Sequence, residues 1–181
     1  TWNSKVNSPN AKYFVGVNNY DLGKGTGAFA VDYINKNIGG KAKVAVIGTS
    51  KYSVGIDRVK GFVDQIKTVP GVEIVAQQDA EFKELGLSVT ESVLEAHPDT
   101  QIVGCWNQGA LLGSLAALKA NPKVKVLLMG TDMSIDLARA RAGRLVGKHP
   151  SREARPATAE SGGVVVQGLQ DAEPPALIQA L

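Results

Sequence analysis

The side chains best suited to chemistry follow short apolar runs of the sequence. The runs occupy residues 13–17, 43–47, 72–76, 101–105 and 124–129, and after the last three come Phe82, Trp106, Asn107 and Asp132. The Asn107 amide both donates and accepts hydrogen bonds, and ionised Asp132 accepts from two hydroxyls. The flat apolar faces of Phe82 and Trp106 suit the C–H face of a sugar. Together these side chains predict a site that holds a small polar molecule.

Each of these residues also has a purely structural interpretation. Asn107 is suited to cap the helix that follows it, and Asp132 to cap a helix that begins near Ser134. Phe82 could simply pack in the core. Their shared position after apolar runs favours ligand binding, provided that the fold brings the ends of those runs together.

Amphipathic stretches separate the apolar runs and predict helices over residues 20–37, 56–66, 83–96 and 111–118, with Ile56 and Leu85 facing inward. Alternation of strands and helices predicts an α/β fold, with a three-layer, mostly parallel, five-stranded open sheet covered by helices on both faces. In such a sheet all parallel strands end at one edge, and ligands bind in the crevice there.

The composition divides the chain into three parts. Residues 1–12 are polar and predict a linker or hinge arm, and residues 13–132 form the α/β ligand-binding lobe. Residues 133–181 are atypical, because five of the six arginines lie between Arg139 and Arg155 and every aromatic residue lies at or before Trp106. A helix over 134–142 and a strand over 162–166 are plausible in this tail. The rest suggests a remnant of another lobe, a partly disordered segment or a loop-rich terminus.

A glycine-rich segment at residues 23–27 (GKGTG) invites a phosphate-loop interpretation, but the spacing fits neither the Walker pattern nor the dinucleotide fingerprint. Close packing of a helix start against the sheet is the better explanation. The two histidines belong to no metal or nucleophile motif, so no catalytic, cofactor-binding or metal-ligating residue is predicted.

Composition narrows the possible partners further. A net charge of +3 without a clustered basic face gives no reason to expect a nucleic-acid partner. The single cysteine, Cys105, excludes an internal disulfide framework and ends an apolar run, which favours a buried thiol over a reactive one. The sequence contains no run of about 18 apolar residues, so no membrane span is predicted. No signal segment is present from which the compartment could be inferred.

An ordered set of motifs resembles the second lobe of a periplasmic sugar-binding protein of the ribose-binding type. The motifs lie at residues 15–23 (VGVNNYDLG), 57–62 (DRVKGF), 80–82 (AEF), 96–99 (AHPD), 106–113 (WNQGALLG) and 129–132 (MGTD). The resemblance implies a type 1 periplasmic binding protein fold. It also implies a non-enzymatic, extracytoplasmic or periplasmic protein that delivers a sugar or polyol to the membrane subunits of an ABC importer.

The resemblance further implies that Phe82 stacks on the ligand while Asn107 and Asp132 bind its hydroxyls, with Trp106 as a larger stacking face. Proteins of this family commonly have a sugar-binding arginine two places before the position of Arg58, and this chain departs from the pattern because it has Ile56 there. A bidentate donor is therefore expected to be missing, and a ligand less polar than ribose is expected.

The sequence leaves two alternatives to the solute-binding function open. The effector-binding lobe of a LacI-type transcriptional regulator has the same fold and similar motifs, and an enzyme that processes small sugars is a more distant possibility. We also expect the chain to represent a single lobe, because the opening half of the two-lobed pattern is missing. A single lobe would bind weakly, and its exposed cleft could promote self-association.

Overall fold

The computed structural model describes residues 8–10, 13, 16–132 and the backbone of 163–166. Within these residues the helices are α1 (Asn19–Asn37), α2 (Ser53–Ile66), α3 (Lys83–Ala96) and α4 (Gln108–Ala120). The strands are β1 (Lys41–Gly48), β2 (Gly71–Asp79), β3 (Ile102–Cys105), β4 (Leu127–Thr131) and β5 (Gly163–Val166). None of the helices in this part of the chain combines the length and apolar character needed to span a bilayer.

The sheet has the strand order β2-β1-β3-β4-β5, in which β1 to β4 are parallel and β5 pairs antiparallel with β4. The predicted α/β fold with a mostly parallel five-stranded sheet is therefore confirmed. The strand predicted over 13–17 is not: Tyr13, Gly16 and Val17 lie outside any strand, and residues 14 and 15 lie outside the described residues. The fifth strand is instead β5, close to the strand proposed over 162–166. The helix predicted over 134–142 lies outside the described residues.

The central strands β1 and β3 are buried almost throughout, as expected for strands covered on both faces. The chain passes from β1 to β2 in one direction across the sheet, and then from β2 to β3 and from β3 to β4 in the opposite direction. Because crossovers between parallel strands are right-handed, α2 lies on one face of the sheet and α3 and α4 lie on the other. Helix α1 packs against α2, and α3 packs against α4. These two helix pairs with the sheet between them form the three predicted layers.

The glycine-rich segment of α1 packs closely against helix α2, and α1 also contacts strands of the sheet. A Cβ atom added to Gly23 would lie 1.9 Å from the Arg58 carbonyl oxygen, and one added to Gly61 would lie 2.0 Å from the Tyr20 carbonyl oxygen. The backbones of α1 and α2 are thus in direct contact. This contact brings the start of α1 next to Arg58.

Two side chains predicted to face inward are exposed. Ile56 has 44% of its surface exposed and Leu85 has 40%. Each lies in the first turn of its helix, close to the carboxyl edge of the sheet. The buried positions of these first turns are instead the neighbouring glycines, Gly55 against Trp106 and Gly86 against Ala110. The apolar periodicity is therefore out of phase with the buried face at the start of each helix.

The close approach of α1 and α2 can be tested with two glycines of one helix. We expect Gly23→Ala to destabilise the fold by about 1–3 kcal/mol or more, because the new methyl group overlaps the backbone of α2. Gly25→Ala has open space around its Cβ and should stabilise the helix by about 0.5–1 kcal/mol. Urea unfolding followed by circular dichroism measures both. Equal effects of the two substitutions would contradict this packing.

Cys105 provides a second test of the core. Burial raises the pKa of its thiol to about 12, and its Sγ lies 3.4 Å from the Ser114 Oγ. Because the buried thiol stays protonated, its contribution to stability is present below its unfolded pKa and is lost as the pH rises toward 12. At pH 8 we expect labelling by a disulfide reagent to be at least about a thousandfold slower in native protein than in urea, because labelling requires opening of the core. Rapid labelling of native protein would show an accessible thiol.

Candidate functional site

The loops at the carboxyl ends of β1 to β4 form one edge of the sheet, and they contain all four predicted site residues. Phe82 follows β2, Trp106 and Asn107 follow β3, and Asp132 follows β4. A buried arginine on α2, Arg58, and the hydrogen bonds of Trp106 and Asn107 connect these loops to one another.

Arg58 reaches the ends of three elements from α2. Its Nε donates to the Asn19 Oδ1 at 2.8 Å, and its Nη1 donates to the Trp106 carbonyl oxygen at 3.2 Å. The same Nη1 lies 3.0 and 3.1 Å from the two carboxylate oxygens of Asp132 and 3.3 Å from the Thr131 Oγ1. Asn107 and Asp132 are therefore on the same edge, since Arg58 bonds both Asp132 and the residue that precedes Asn107.

The site contains an arginine at a position other than the one that the resemblance indicated. Ile56 does stand two places before Arg58, but Arg58 itself lies in the site with its guanidinium beside the Asp132 carboxylate. Its side chain is only 9% exposed, whereas that of Asp132 is 39% exposed. The pair thus presents a partly open carboxylate held by a buried cation.

Asp132 is also held in an unusual backbone conformation. Its φ is +73°, which makes it the one non-glycine residue with a positive φ in the described part of the chain. Aspartate tolerates this left-handed region better than most residues, but the conformation persists only where neighbours enforce it. The ion pair with Arg58 is the contact suited to do so.

Trp106 lies mostly beneath the surface of the site. It is 9% exposed, and its Nε1 donates to the Ala80 carbonyl oxygen at 2.9 Å. Its ring stacks with that of Tyr52 at a centroid distance of 5.9 Å and an angle of 19°. Little of the Trp106 ring is therefore available to a ligand, and Tyr52 occupies the position above it.

Asn107 is the N-cap of α4, as its structural interpretation predicted. Its Oδ1 accepts from the Ala110 backbone N–H at 2.8 Å, and its Nδ2 donates to the Glu81 carbonyl oxygen at 3.0 Å. An asparagine amide can make four hydrogen bonds, so one N–H and one lone pair remain for another partner. Capping and ligand binding are compatible at this residue.

Phe82 is not a core residue. Its side chain is 65% exposed, and it occupies the N-cap position of α3 without making a side-chain capping bond. An exposed phenylalanine at the edge of the sheet is suited to stack on a ligand.

Buried charge beside the site fixes two of its loops. The Glu81 side chain is 5% exposed, and its Oε1 accepts from the Thr49 Oγ1 at 3.3 Å and lies 3.4 Å from the Lys51 Nζ. These contacts join the loop after β1 to the loop after β2. Within the described residues, no group of three or more histidine, cysteine, aspartate or glutamate side chains is arranged to hold a metal ion.

Comparison with known proteins gives consistent results. A family described as the periplasmic binding protein domain matches residues 1–142. The chain belongs to the periplasmic binding protein family.

Among its curated relatives, an ABC transporter periplasmic-binding protein of Escherichia coli (YphF) is 33% identical over 120 residues, which are 65% of this chain and 37% of that protein. The ribose import binding protein RbsB of the same organism is 37% identical over 112 residues, or 61% of this chain and 38% of RbsB.

Solved structures of the family give the same fold. An arabinose-binding protein from Geobacillus stearothermophilus has a TM-score of 0.68 at 25% identity, over 78% of this chain and 49% of that one. A solute-binding protein from Actinobacillus succinogenes with bound D-allose has the same TM-score and identity, over 79% and 52%. The chain thus spans about half the length of these structures and under two fifths of the length of the two curated relatives.

For this member of the family, sequence reasoning missed Arg58, Tyr52 and Glu81 as parts of the site. A signal for Arg58 was present, because it lies in phase with the buried residues Gly55 and Phe62 of α2. A charged residue on a buried helix face needs a partner. No comparable signal marked Tyr52, whose role depends on Trp106 from a different part of the chain.

The importance of the Arg58 network can be measured as stability. Arg58→Met removes the cation but leaves its partners in place, and we expect a loss of about 2–3 kcal/mol, since Asp132 is open enough to be hydrated. Lys60→Met, on the same helix, removes an exposed ion pair with Asp64 and should change the stability far less. Urea unfolding monitored by circular dichroism compares the two. If both variants lose similar stability, the Arg58 network does not organise this edge.

Proposed function

We propose that this chain is periplasmic or otherwise extracytoplasmic, that it binds a sugar or polyol there, and that it delivers this ligand to the membrane subunits of an ABC importer. The main support is one geometric observation: an exposed aromatic ring, Phe82, shares a sheet edge with the Arg58–Asp132 pair. Protein sites for sugars need both a flat apolar face and directional polar groups. We infer that the chain catalyses no reaction and needs no cofactor.

In this proposal each residue has a definite task. Phe82 stacks on a C–H face of the ligand, Asp132 accepts from its hydroxyls, and Asn107 uses its remaining N–H and lone pair. Arg58 orients the Asp132 carboxylate, and its guanidinium is suited to donate to a ligand oxygen next to that carboxylate. Trp106 acts from below by supporting Tyr52.

The names of the relatives favour import over gene regulation. RbsB is a ribose import binding protein, and YphF is named as an ABC transporter periplasmic-binding protein. No observation favours the alternative, the effector-binding lobe of a LacI-type transcriptional regulator. We propose no nucleic-acid partner.

The proposed ligand affinity is low for the chain alone. One wall of a cleft supplies part of the contacts and little exclusion of water. The same open edge exposes Tyr52 and Phe82, so we propose that the chain self-associates weakly at high concentration.

Weak binding is best detected by nuclear magnetic resonance. The ¹⁵N-labelled chain would be titrated with D-ribose, L-arabinose, D-allose and ribitol up to tens of millimolar. We expect at least one of them to shift the amide signals of the loops after β2, β3 and β4. Absence of any shift at these loops with all four ligands would overturn the proposal.

Two substitutions at the site should weaken that binding, and circular dichroism would establish that each variant is folded before its affinity is compared. Phe82→Ala removes an exposed side chain that makes no capping bond, and Asp132→Asn removes the ionised acceptor with a residue that tolerates a positive φ. We expect each to raise the dissociation constant about tenfold, equivalent to about 1.4 kcal/mol. The control is Leu85→Ala, which shortens another exposed apolar side chain on α3. Unchanged affinity in both site variants would count against this site.

A further inference from the structure

The N-caps of the four helices follow an uneven pattern. The helices α1 and α4 begin after Asn18 and Asn107, whose side chains accept from the backbone N–H of the residue three places on. The helices α2 and α3 begin after Tyr52 and Phe82, which make no side-chain capping bond. Aromatic residues are poor N-caps compared with asparagine, aspartate, serine and threonine. Residues that break a local rule of this kind concentrate at functional sites.

Tyr52 lies over a rigid support. The Trp106 ring below it is fixed by the hydrogen bond from its Nε1 to Ala80, and the space beside that ring is filled by the backbone of α2. A Cβ atom added to Gly55 would lie 2.4 Å from a ring carbon of Trp106. One face of Tyr52 rests on this ring, while 47% of the residue is exposed. The Tyr52 hydroxyl makes no hydrogen bond to any residue that the structure describes.

The loops bearing Tyr52 and Phe82 are joined to each other. Glu81, next to Phe82, bonds to Thr49 and Lys51 in the loop that leads to Tyr52. These loops follow the neighbouring strands β1 and β2, whose axes are about 4.8 Å apart. The two aromatic residues therefore lie on adjacent loops of the same edge. Their positions are set before the ligand arrives, which lowers the entropic cost of binding.

A second exposed apolar side chain lies near Tyr52. Ile56 lies one helical turn further along α2, its N–H donates to the Tyr52 carbonyl oxygen at 2.9 Å, and it is 44% exposed. Tyr52 and Ile56 thus form an apolar extension of the site on the α2 side, whereas its hydrogen-bonding groups lie on the side of β3 and β4.

We propose that Tyr52 is a specificity-determining residue that contacts an apolar substituent of the ligand, so that the chain prefers deoxy or alkylated sugars to fully hydroxylated ones. This inference rests on the proposed sugar-binding function and names the ligand class for the same site. The sugar ring contacts Phe82 and Asp132, and its methyl or alkyl group contacts Tyr52 and Ile56. Burial of one CH₂ group should favour the substituted sugar about fourfold.

Matched ligand pairs test this preference on the ¹⁵N-labelled chain. The pairs are D-ribose with methyl β-D-ribofuranoside, and D-galactose with its 6-deoxy form, D-fucose. In the unmodified chain we expect the substituted member of at least one pair to bind about fourfold more tightly and to shift the amide signals of Tyr52 and Ile56.

Variants then assign the preference to Tyr52. Tyr52→Ser should bring the affinity ratio of the pair close to one, and it places a good N-cap before α2, so the fold should be retained. Tyr52→Phe keeps the ring and should keep the ratio, as should the control Leu85→Ala. A ratio near one in the unmodified chain, or a ratio that survives Tyr52→Ser, overturns the inference while sugar binding stands. If none of these sugars binds, the proposed function fails and this inference fails with it.

Discussion

The buried guanidinium of Arg58 is the interaction on which the carboxyl edge of the sheet depends. A cation in this position must be paired and hydrogen-bonded, because leaving it unsatisfied would cost several kcal/mol, roughly the order of the net stability of a domain. Its partners come from the start of α1 and from the ends of β3 and β4. Satisfying one side chain therefore fixes the relative position of three elements, and it holds Asp132 in a conformation that few residues adopt.

Arg58 reaches these partners only because two helices approach each other unusually closely. Gly23 and Gly61 allow the backbones of α1 and α2 to touch, which brings Asn19 within 2.8 Å of the Arg58 Nε. The glycine-rich segment that resembled a phosphate loop thus has a packing role with a functional consequence. Further hydrogen bonds hold the rest of the site in place. The Asn107 amide is bonded to backbone, and the loops after β1 and β2 are joined through Glu81.

Much of the fold follows from local pattern, and the errors have physical causes. Residues 43–47 were predicted as a strand because the run is apolar throughout, and they lie within β1. Residues 13–17 have a similar pattern, but Gly16 and Val17 are not in a strand, and β5 takes the place beside β4. Strand pairing is decided by partners far along the chain, which a local pattern does not contain. Ile56 is exposed for a related reason, since its neighbour Gly55 takes the buried position against Trp106, a residue from another part of the chain.

For the site, the order of residues along the chain is enough to show that polar and aromatic side chains follow successive strands and hence gather at one edge. The geometry of parallel sheets requires this whatever the surrounding side chains are. Which of these side chains face outward depends on the folded structure. Phe82 is exposed and Trp106 is covered by Tyr52 because burial depends on neighbours from other segments. The pairing of Arg58 with Asp132 was likewise decided in three dimensions, because the two residues are separated by three strands and two helices along the chain and meet only once the sheet has formed.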